Sequence, residues 1–168
     1  MKAVFFVTNR TQEGILNVWK SEILGNQEYG QPERVFNDEV IAANNITPYF
    51  HTPTQTLYFS SEEFVGLGGY DIFKTKRTKL GWGTIKNVGY PLNSGANDVY
   101  FRWNDDNETG FFSSTREGAL SLTKGSCCYD IYEVENDSIS VIVQGFVFDA
   151  ETDEIIPNAK IKLKDIRG

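Results

Sequence analysis

The chain has 168 residues, of which 40% are hydrophobic and 14% aromatic, and its formal net charge is −7. This hydrophobic content is enough for a packed core, which argues against a disordered chain. The acidic balance, with no basic stripe, argues against nucleic acid or anionic lipid as a partner. No apolar run reaches the ~18 residues that a membrane-spanning helix needs, so no membrane span is expected.

The two cysteines and the single histidine offer little for metal or redox chemistry. Cys127 and Cys128 are adjacent, and a disulfide between neighbouring strand residues would be strained. A zinc site needs about four ligands at defined spacing, which His51 and this cysteine pair do not provide. We therefore expect no disulfide framework, no metal and no cofactor.

An aromatic block repeats along the chain. Phe6, Phe59 and Phe112 are spaced by 53 and 53 residues, and each lies in an apolar stretch that ends in small polar residues. Asn44–Thr47 and Asn97–Tyr100 share the same 53-residue offset. Such a period indicates tandem homologous units.

A second block follows the first in every unit. It combines a polar residue, a β-branched residue and an aromatic residue, which favours a strand. The offsets between successive copies are 54 and 59 residues, so the third unit has a longer loop that includes Ser121–Ser126. The three copies are Asn17-Val18-Trp19, Tyr70-Asp71-Ile72-Phe73 and Tyr129-Asp130-Ile131-Tyr132.

The middle unit shows how many strands a unit contains. Turn-forming residues near positions 53–54, 66–69, 81–83 and 93–95 separate its apolar stretches. Four strands in about 50 residues is typical of a propeller blade. The predicted strands are residues 47–51, 56–60, 70–75 and 84–88.

These blocks resemble the WD40-like propeller repeat of Bacteroidetes-type envelope proteins. The resemblance rests on Leu57–Ser61, Gly66–Phe73, Trp82 and Gly89–Asp98, and the core recurs at Gly110–Arg116 and Tyr129–Tyr132. It implies an all-β fold in which residues 1–137 form about two and a half to three four-stranded blades of an expected six. The implied structural repeat positions are Phe59, Phe112, Asp71, Asp130, Tyr70, Tyr129 and Trp82.

The blade count raises the question of closure. Closed propellers have ~4 to 8 blades, and open ends would expose unpaired strand edges. We expect either that the chain is part of a longer propeller of about six blades, or that several copies close a ring.

The remaining residues, 138–168, differ in pattern. Gly145–Asp149 and Pro157–Leu163 resemble the opening hairpin of a carboxypeptidase-regulatory-like β-sandwich. About 30 residues are too few for a closed sandwich, so the first strands of an incomplete one are expected.

A propeller followed by this sandwich resembles the peptidoglycan-anchored, OmpA-like-domain-containing subunits of the type IX secretion machinery. The resemblance implies a non-catalytic scaffold that is periplasmic and outer-membrane-associated, with protein partners in the cell envelope. Peptidoglycan binding would belong to an OmpA-like domain that these 168 residues do not contain.

Several residues invite a catalytic or ion-binding interpretation. Asp71 and Asp130 suit a cation, but backbone hydrogen bonds inside the blade are the favoured role. Asn104–Glu108 resembles a calcium loop, but a solvated hairpin turn is favoured there. His51 has no identifiable partner, and the sialidase Asp box is absent, so no enzyme is expected. The arginines do not recur in register: Arg10, Arg34, Arg77, Arg102 and Arg116.

Two alternatives to the scaffold remain open. One is a glycan-binding or small-ligand-binding propeller that uses exposed aromatic residues such as Trp82 and Trp103. The other is a regulatory propeller of a larger hydrolase.

Overall fold

The structure is a computed structural model that describes residues 2–10, 14–36, 43–104, 108–118, 128–136 and 145–160. These residues form antiparallel β-sheets and no helix, so the all-β prediction is confirmed for them. None of them belongs to a helix long and apolar enough to cross a membrane. The chain divides into two compact units, Met1–Asp137 and Ser138–Gly168.

The first sheet of the larger unit contains four strands. They are β1 (Ala3–Thr8), β2 (Asn17–Gly25), β3 (Glu28–Tyr29) and β4 (Glu33–Arg34). β1 pairs with β2, and both β3 and β4 pair with β2 at different stretches. Pro32 lies between the two short strands, where its missing N–H cannot continue a ladder.

The second sheet contains five strands. They are β5 (Asn45–His51), β6 (Thr56–Ser61), β7 (Asp71–Thr78), β8 (Gly81–Trp82) and β9 (Lys86–Asn87). The order is β5-β6-β7-β8, and β9 also pairs with β7. As in the first sheet, the outermost strand is divided into two short pieces.

The third sheet contains β10 (Asp98–Trp103), β11 (Thr109–Ser114) and β12 (Asp130–Glu135), in that order. The three sheets therefore have four, five and three described strands, where four-stranded sheets were predicted. The excess in the second sheet arises because β7 runs three residues past the predicted Thr75. Its extension pairs with Gly81–Trp82, which the sequence had placed in a turn.

The 53-residue period is visible in the strand bounds. β1, β6 and β11 have six residues each and begin at Ala3, Thr56 and Thr109, successive offsets of 53. Each strand ends in a hydroxyl residue that accepts a hydrogen bond from the backbone N–H two residues later. These acceptors are Thr8, Ser61 and Ser114, at 3.3, 3.0 and 3.1 Å.

A backbone irregularity repeats with the same period. Thr47 and Tyr100 have φ values of 50° and 58°, in the left-handed region that β-branched and bulky residues rarely adopt. Each lies at a shift in register between the first two strands of its sheet. The Tyr100 N–H donates to Thr47 Oγ1 at 3.3 Å, so the two bulges contact each other across the sheets.

The sheets stack face to face because alternate residues of the second sheet point in opposite directions. Leu57, Phe59 and Phe73 pack against the first sheet, in a cluster with Val18 and Phe5. Tyr58 and Ile72 lie on the other face and pack against the third sheet, in a cluster with Phe101, Phe112 and Tyr132. The second sheet is thus covered on both faces.

An aromatic pair holds the same cross-strand position in each repeat, and in the second and third repeats it faces the preceding sheet. Phe6 lies opposite Trp19, Phe59 opposite Phe73, and Phe112 opposite Tyr132 on neighbouring antiparallel strands. Cross-strand aromatic pairs stabilise a sheet while they build its packing face. We call these three pairs the aromatic pairs.

The smaller unit contains a hairpin. Phe148 and Ile155 form an antiparallel bridge, and the carboxylate of Asp149 accepts from the N–H groups of Glu151 and Thr152 at 2.9 and 3.0 Å. These two bonds hold the pKa of Asp149 below its ordinary value.

The stacking can be tested with two leucines. Leu57 is fully buried between the first two sheets, whereas Leu80 is fully exposed in the β7–β8 turn. We expect Leu57→Ala to lower the free energy of unfolding by about 3 kcal/mol because it leaves a cavity. Leu80→Ala is the control and should change it by less than about 0.5 kcal/mol. Equilibrium urea unfolding measures both, and equal effects would contradict the stacking.

Candidate functional site

The buried carboxylate of Asp71 organises the loop that precedes its strand. Its Oδ2 accepts from the N–H groups of Leu67 and Gly68 at 2.5 and 3.2 Å, and the residue is 1% exposed. A Cβ on Gly66 would collide with this carboxylate, so the loop requires glycine there. Residues 62–70, here called the glycine loop, are therefore held in one shape.

Asp130 takes the equivalent place at the start of β12 but is only half-buried. The loop before it lies largely outside the described residues, so a matching hydrogen-bond pattern is not described. Tyr129 is 46% exposed, whereas Tyr70 is half-buried and donates its N–H to Asn97 Oδ1 at 2.9 Å. Burial, together with the neighbouring Glu62, raises the pKa of Tyr70.

Asn93 joins the loop after β9 to the second sheet. Its Oδ1 accepts from the Ile72 N–H at 2.7 Å, and its Nδ2 donates to the Ile72 carbonyl at 2.9 Å and to Asn87 Oδ1 at 2.7 Å. The side chain is completely buried. It therefore satisfies both backbone polar groups of one β7 residue, as a neighbouring strand would.

Asp98 and Arg116 form a second buried polar link. The Arg116 guanidinium lies 2.8 Å from Asp98 Oδ1, while the other carboxylate oxygen accepts from the N–H and hydroxyl of Ser94. The same guanidinium also donates to the carbonyls of Pro91 and Leu92. Asp98 has no exposed side-chain area, so this partner compensates its charge.

Arg116 also stacks on an aromatic pair. Its guanidinium carbon lies 4.8 Å from the ring centre of Phe112 and 5.0 Å from that of Tyr132. Arg10, two repeats earlier at an offset of 106 residues, lies 5.6 Å from the ring centre of Trp19. The prediction that the arginines do not recur in register is therefore wrong for Arg10 and Arg116.

The other catalytic or ion-binding candidates have local structural contacts. His51 is buried, and its Nδ1 lies 2.7 Å from Thr54 Oγ1. Asn104 donates to Thr109 Oγ1 across the β10–β11 connection at 2.6 Å. Residues 105–107 of the Asn104–Glu108 turn, and Cys127, lie outside the described residues. Within the described part of the chain, no three His, Cys, Asp or Glu side chains lie together as metal ligands.

Two contacting loops expose apolar side chains at one end of the second sheet. Val65 and Leu67 of the glycine loop are 96% and 56% exposed, and Tyr90 in the loop after β9 is 85% exposed. The loops are joined by a hydrogen bond from the Gly69 N–H to the Ala96 carbonyl at 3.2 Å. We call Val65, Leu67 and Tyr90 the loop surface.

A cleft of about 540 Å³ separates the outer parts of the first and second sheets. Trp82 lies on its wall, half-buried, with its ring edge-on to Phe5 and Phe50 at 6.1 Å each. Lys20 and Arg77 also line the cleft, and Lys20 pairs with Glu33 at 2.8 Å. Trp82 is thus part of the packing between sheets and also borders open space.

Trp103 is similarly half-buried. Its Nε1–H donates to the Tyr58 hydroxyl at 3.2 Å, and its ring packs edge-on against Phe101. Burial raises the pKa of Tyr58, and the hydrogen bond from Trp103 opposes that shift. Neither tryptophan is the freely exposed platform that the glycan-binding alternative assumed.

Comparison with known proteins does not identify a family. No family model matches the chain, and no curated protein matches it.

Sequence reasoning gave no role to Asn93 or to the Asp98–Arg116 pair. All three residues lie in or beside motifs on which the repeat resemblance rests. The recurrence of Arg10 at Arg116 was the available signal, because each follows its strand at the same offset.

Asn93 provides a direct test of the polar framework. Asn93→Ala would leave the buried Ile72 N–H without its acceptor, so we expect a loss of about 2–4 kcal/mol in unfolding free energy. The control, Asn9→Ala, removes the same group from an exposed position. Urea unfolding measures both, and an effect of Asn93→Ala no larger than the control's would contradict this role.

The ion pair makes a second prediction. Arg116→Met removes the cation and leaves the Asp98 carboxylate buried, so we expect a loss of about 3–5 kcal/mol in unfolding free energy. The double variant Arg116→Met with Asp98→Asn should recover part of that loss because the buried charge is gone. Failure of the second substitution to recover any stability, measured by urea unfolding, would refute this account.

Proposed function

We propose that this chain is a non-catalytic protein-interaction module, built from part of a β-propeller and acting as a scaffold in the cell envelope. Support for the propeller comes from three successive antiparallel sheets that share a 53-residue period and pack face to face. Adjacent propeller blades are related in this way.

The scaffold role rests on which side chains of the loops make internal hydrogen bonds and which face solvent. The amide and carboxylate groups of Asn93, Asp71 and Asp98 hydrogen-bond to backbone or to Arg116, which fixes the loops. Those fixed loops present the apolar side chains of Val65, Leu67 and Tyr90 outward, beside the exposed Glu62. Exposed apolar residues on contacting loops are typical of protein-binding surfaces.

An envelope location and envelope protein partners rest on the sequence resemblance alone. They are part of the proposal because a rigid, stacked β-scaffold suits a component that holds other proteins in position.

The loop surface is the place to test this function. The triple variant Val65→Ser, Leu67→Ser and Tyr90→Ser should keep the unfolding midpoint, because all three side chains are exposed. We expect it to lose the protein partners that the immobilised wild-type chain retains from the envelope fraction of the cells that make it. Retained proteins are quantified by mass spectrometry.

The matched control is Leu80→Ser, which alters an exposed apolar residue at the opposite end of β7. It should retain the same proteins as the wild-type chain. Equal retention by the triple variant, or turnover in hydrolase and glycosidase screens, would refute the proposal.

A second candidate function is glycan binding in the cleft, favoured by the position of Trp82 beside Lys20 and Arg77. Aromatic and charged side chains on a cleft wall are common in ligand sites. A glycan array distinguishes the two functions. Glycan binding that disappears in Arg77→Ala but persists in the triple loop-surface variant would favour the glycan-binding function.

A further inference from the structure

The packing rule between the sheets is the same at both interfaces. Phe5 and Val18 of the first sheet meet the aromatic pair Phe59 and Phe73 of the second. Tyr58 and Ile72 of the second sheet meet the aromatic pair Phe112 and Tyr132 of the third. Each sheet thus offers an aromatic residue and a β-branched residue on one face, and its own aromatic pair on the other.

The outer face of the third sheet carries the same combination of one aromatic residue and one β-branched residue. Phe111 and Ile131 take the places of Tyr58 and Ile72, at offsets of 53 and 59 residues. Ile131 is 77% exposed and Phe111 is half-buried. No described residue of the larger unit is clustered against this face, here called the tail face.

The outer face of the first sheet carries the other element of this packing rule, an aromatic pair. Its aromatic pair, Phe6 and Trp19, points away from the second sheet, beside the exposed Val4 and Ile23. Phe6 is half-buried, and Trp19 is 7% exposed beneath Arg10 and Arg34. No described residue from another sheet is clustered against these side chains. We call this the head face.

The charges on the two faces are complementary. On the head face, Arg10 and Arg34 lie 5.6 and 5.7 Å from the ring centre of Trp19. The tail face carries Glu133 and Glu135 on β12, and Arg102 is the one cation among its described strand residues. The corresponding β7 positions are Lys74 and Lys76, so the third sheet reverses the charge of the second.

We propose that the tail face of one chain binds the head face of a second copy of this chain. The occupant is inferred from the two internal interfaces, since Phe6 and Trp19 hold the same cross-strand positions as Phe112 and Tyr132. Arg10 would lie on the aromatic pair at the new interface, as Arg116 does at the internal one. This inference concerns the two end sheets and does not depend on the loop surface or on the envelope role.

The contact is head-to-tail, so copies add in one direction until the rotation between them closes a ring. Analytical ultracentrifugation of the full chain across a range of concentrations should show reversible association in multiples of the 19.0 kDa monomer mass. Association should weaken as salt rises, because the charged residues at the interface edge are screened. A monomer at every concentration would overturn the proposal.

Variants with reversed charges test whether the head face and the tail face are the two surfaces that bind each other. We expect Glu133→Arg with Glu135→Arg on the tail face, and Arg10→Glu with Arg34→Glu on the head face, each to weaken self-association by about tenfold or more. Mixing the two variants should restore association to near the wild-type value, because each supplies the partner for the other's altered face. A mixture that associates no better than either variant alone would refute this pairing.

The apolar centre of the tail face gives an independent readout. Ile131→Asp should abolish association while leaving the urea midpoint unchanged, because the side chain is exposed in the monomer. Leu80→Asp, at a turn outside both faces, is the control and should associate like the wild type. Association that survives Ile131→Asp, or that is equally lost in Leu80→Asp, would contradict the inference.

Discussion

The structure depends on the alternation of side chains along the second and third strands of each repeat. Because successive residues of a strand point to opposite faces, one aromatic pair covers the preceding sheet while its sequence neighbours cover the next. In the second sheet, Phe59 and Tyr58 are adjacent in sequence yet belong to different hydrophobic clusters. A slip of one residue would exchange the two clusters, so the pattern also specifies the register.

The buried polar groups complete what the aromatic packing begins. Apolar packing between sheets places no constraint on the loops at their ends, and Asn93, Asp71 and the Asp98–Arg116 pair supply it. Stacking of the sheets removes backbone and charged groups from water. Each of these side chains gives such a group a hydrogen-bond partner in place of the lost water. The loops consequently hold a fixed form without regular secondary structure of their own.

The repeat and the central strands could be predicted from the sequence because they depend on local patterns. Phe59 and Phe112 recur at a fixed interval, and the apolar run Leu57–Phe59 between polar residues is a short-range signal. The β7–β8 hairpin was missed because Gly81-Trp82-Gly83 has the composition of a turn, and pairing with the end of β7 decides the outcome. The role of Asn93 was missed because an asparagine between proline and glycine residues is typical of a turn. Its hydrogen bonds to Ile72 span 21 residues, so no local pattern indicates them.

The glycine loop contains positions that require glycine and, beside them, positions whose side chains can vary. A Cβ on Gly66 would collide with the buried Asp71 carboxylate, and one on Gly68 with the backbone of Ala96, so these two positions require glycine. At Gly69 a Cβ would displace the Asn97 side chain. The side chains of Val65, just before Gly66, and of Leu67, between Gly66 and Gly68, point into solvent and carry none of that constraint. Evolution can therefore exchange residues 65 and 67 without disturbing the loop backbone. Chains with this loop can vary the side chains that the loop presents to solvent while its backbone keeps the same form.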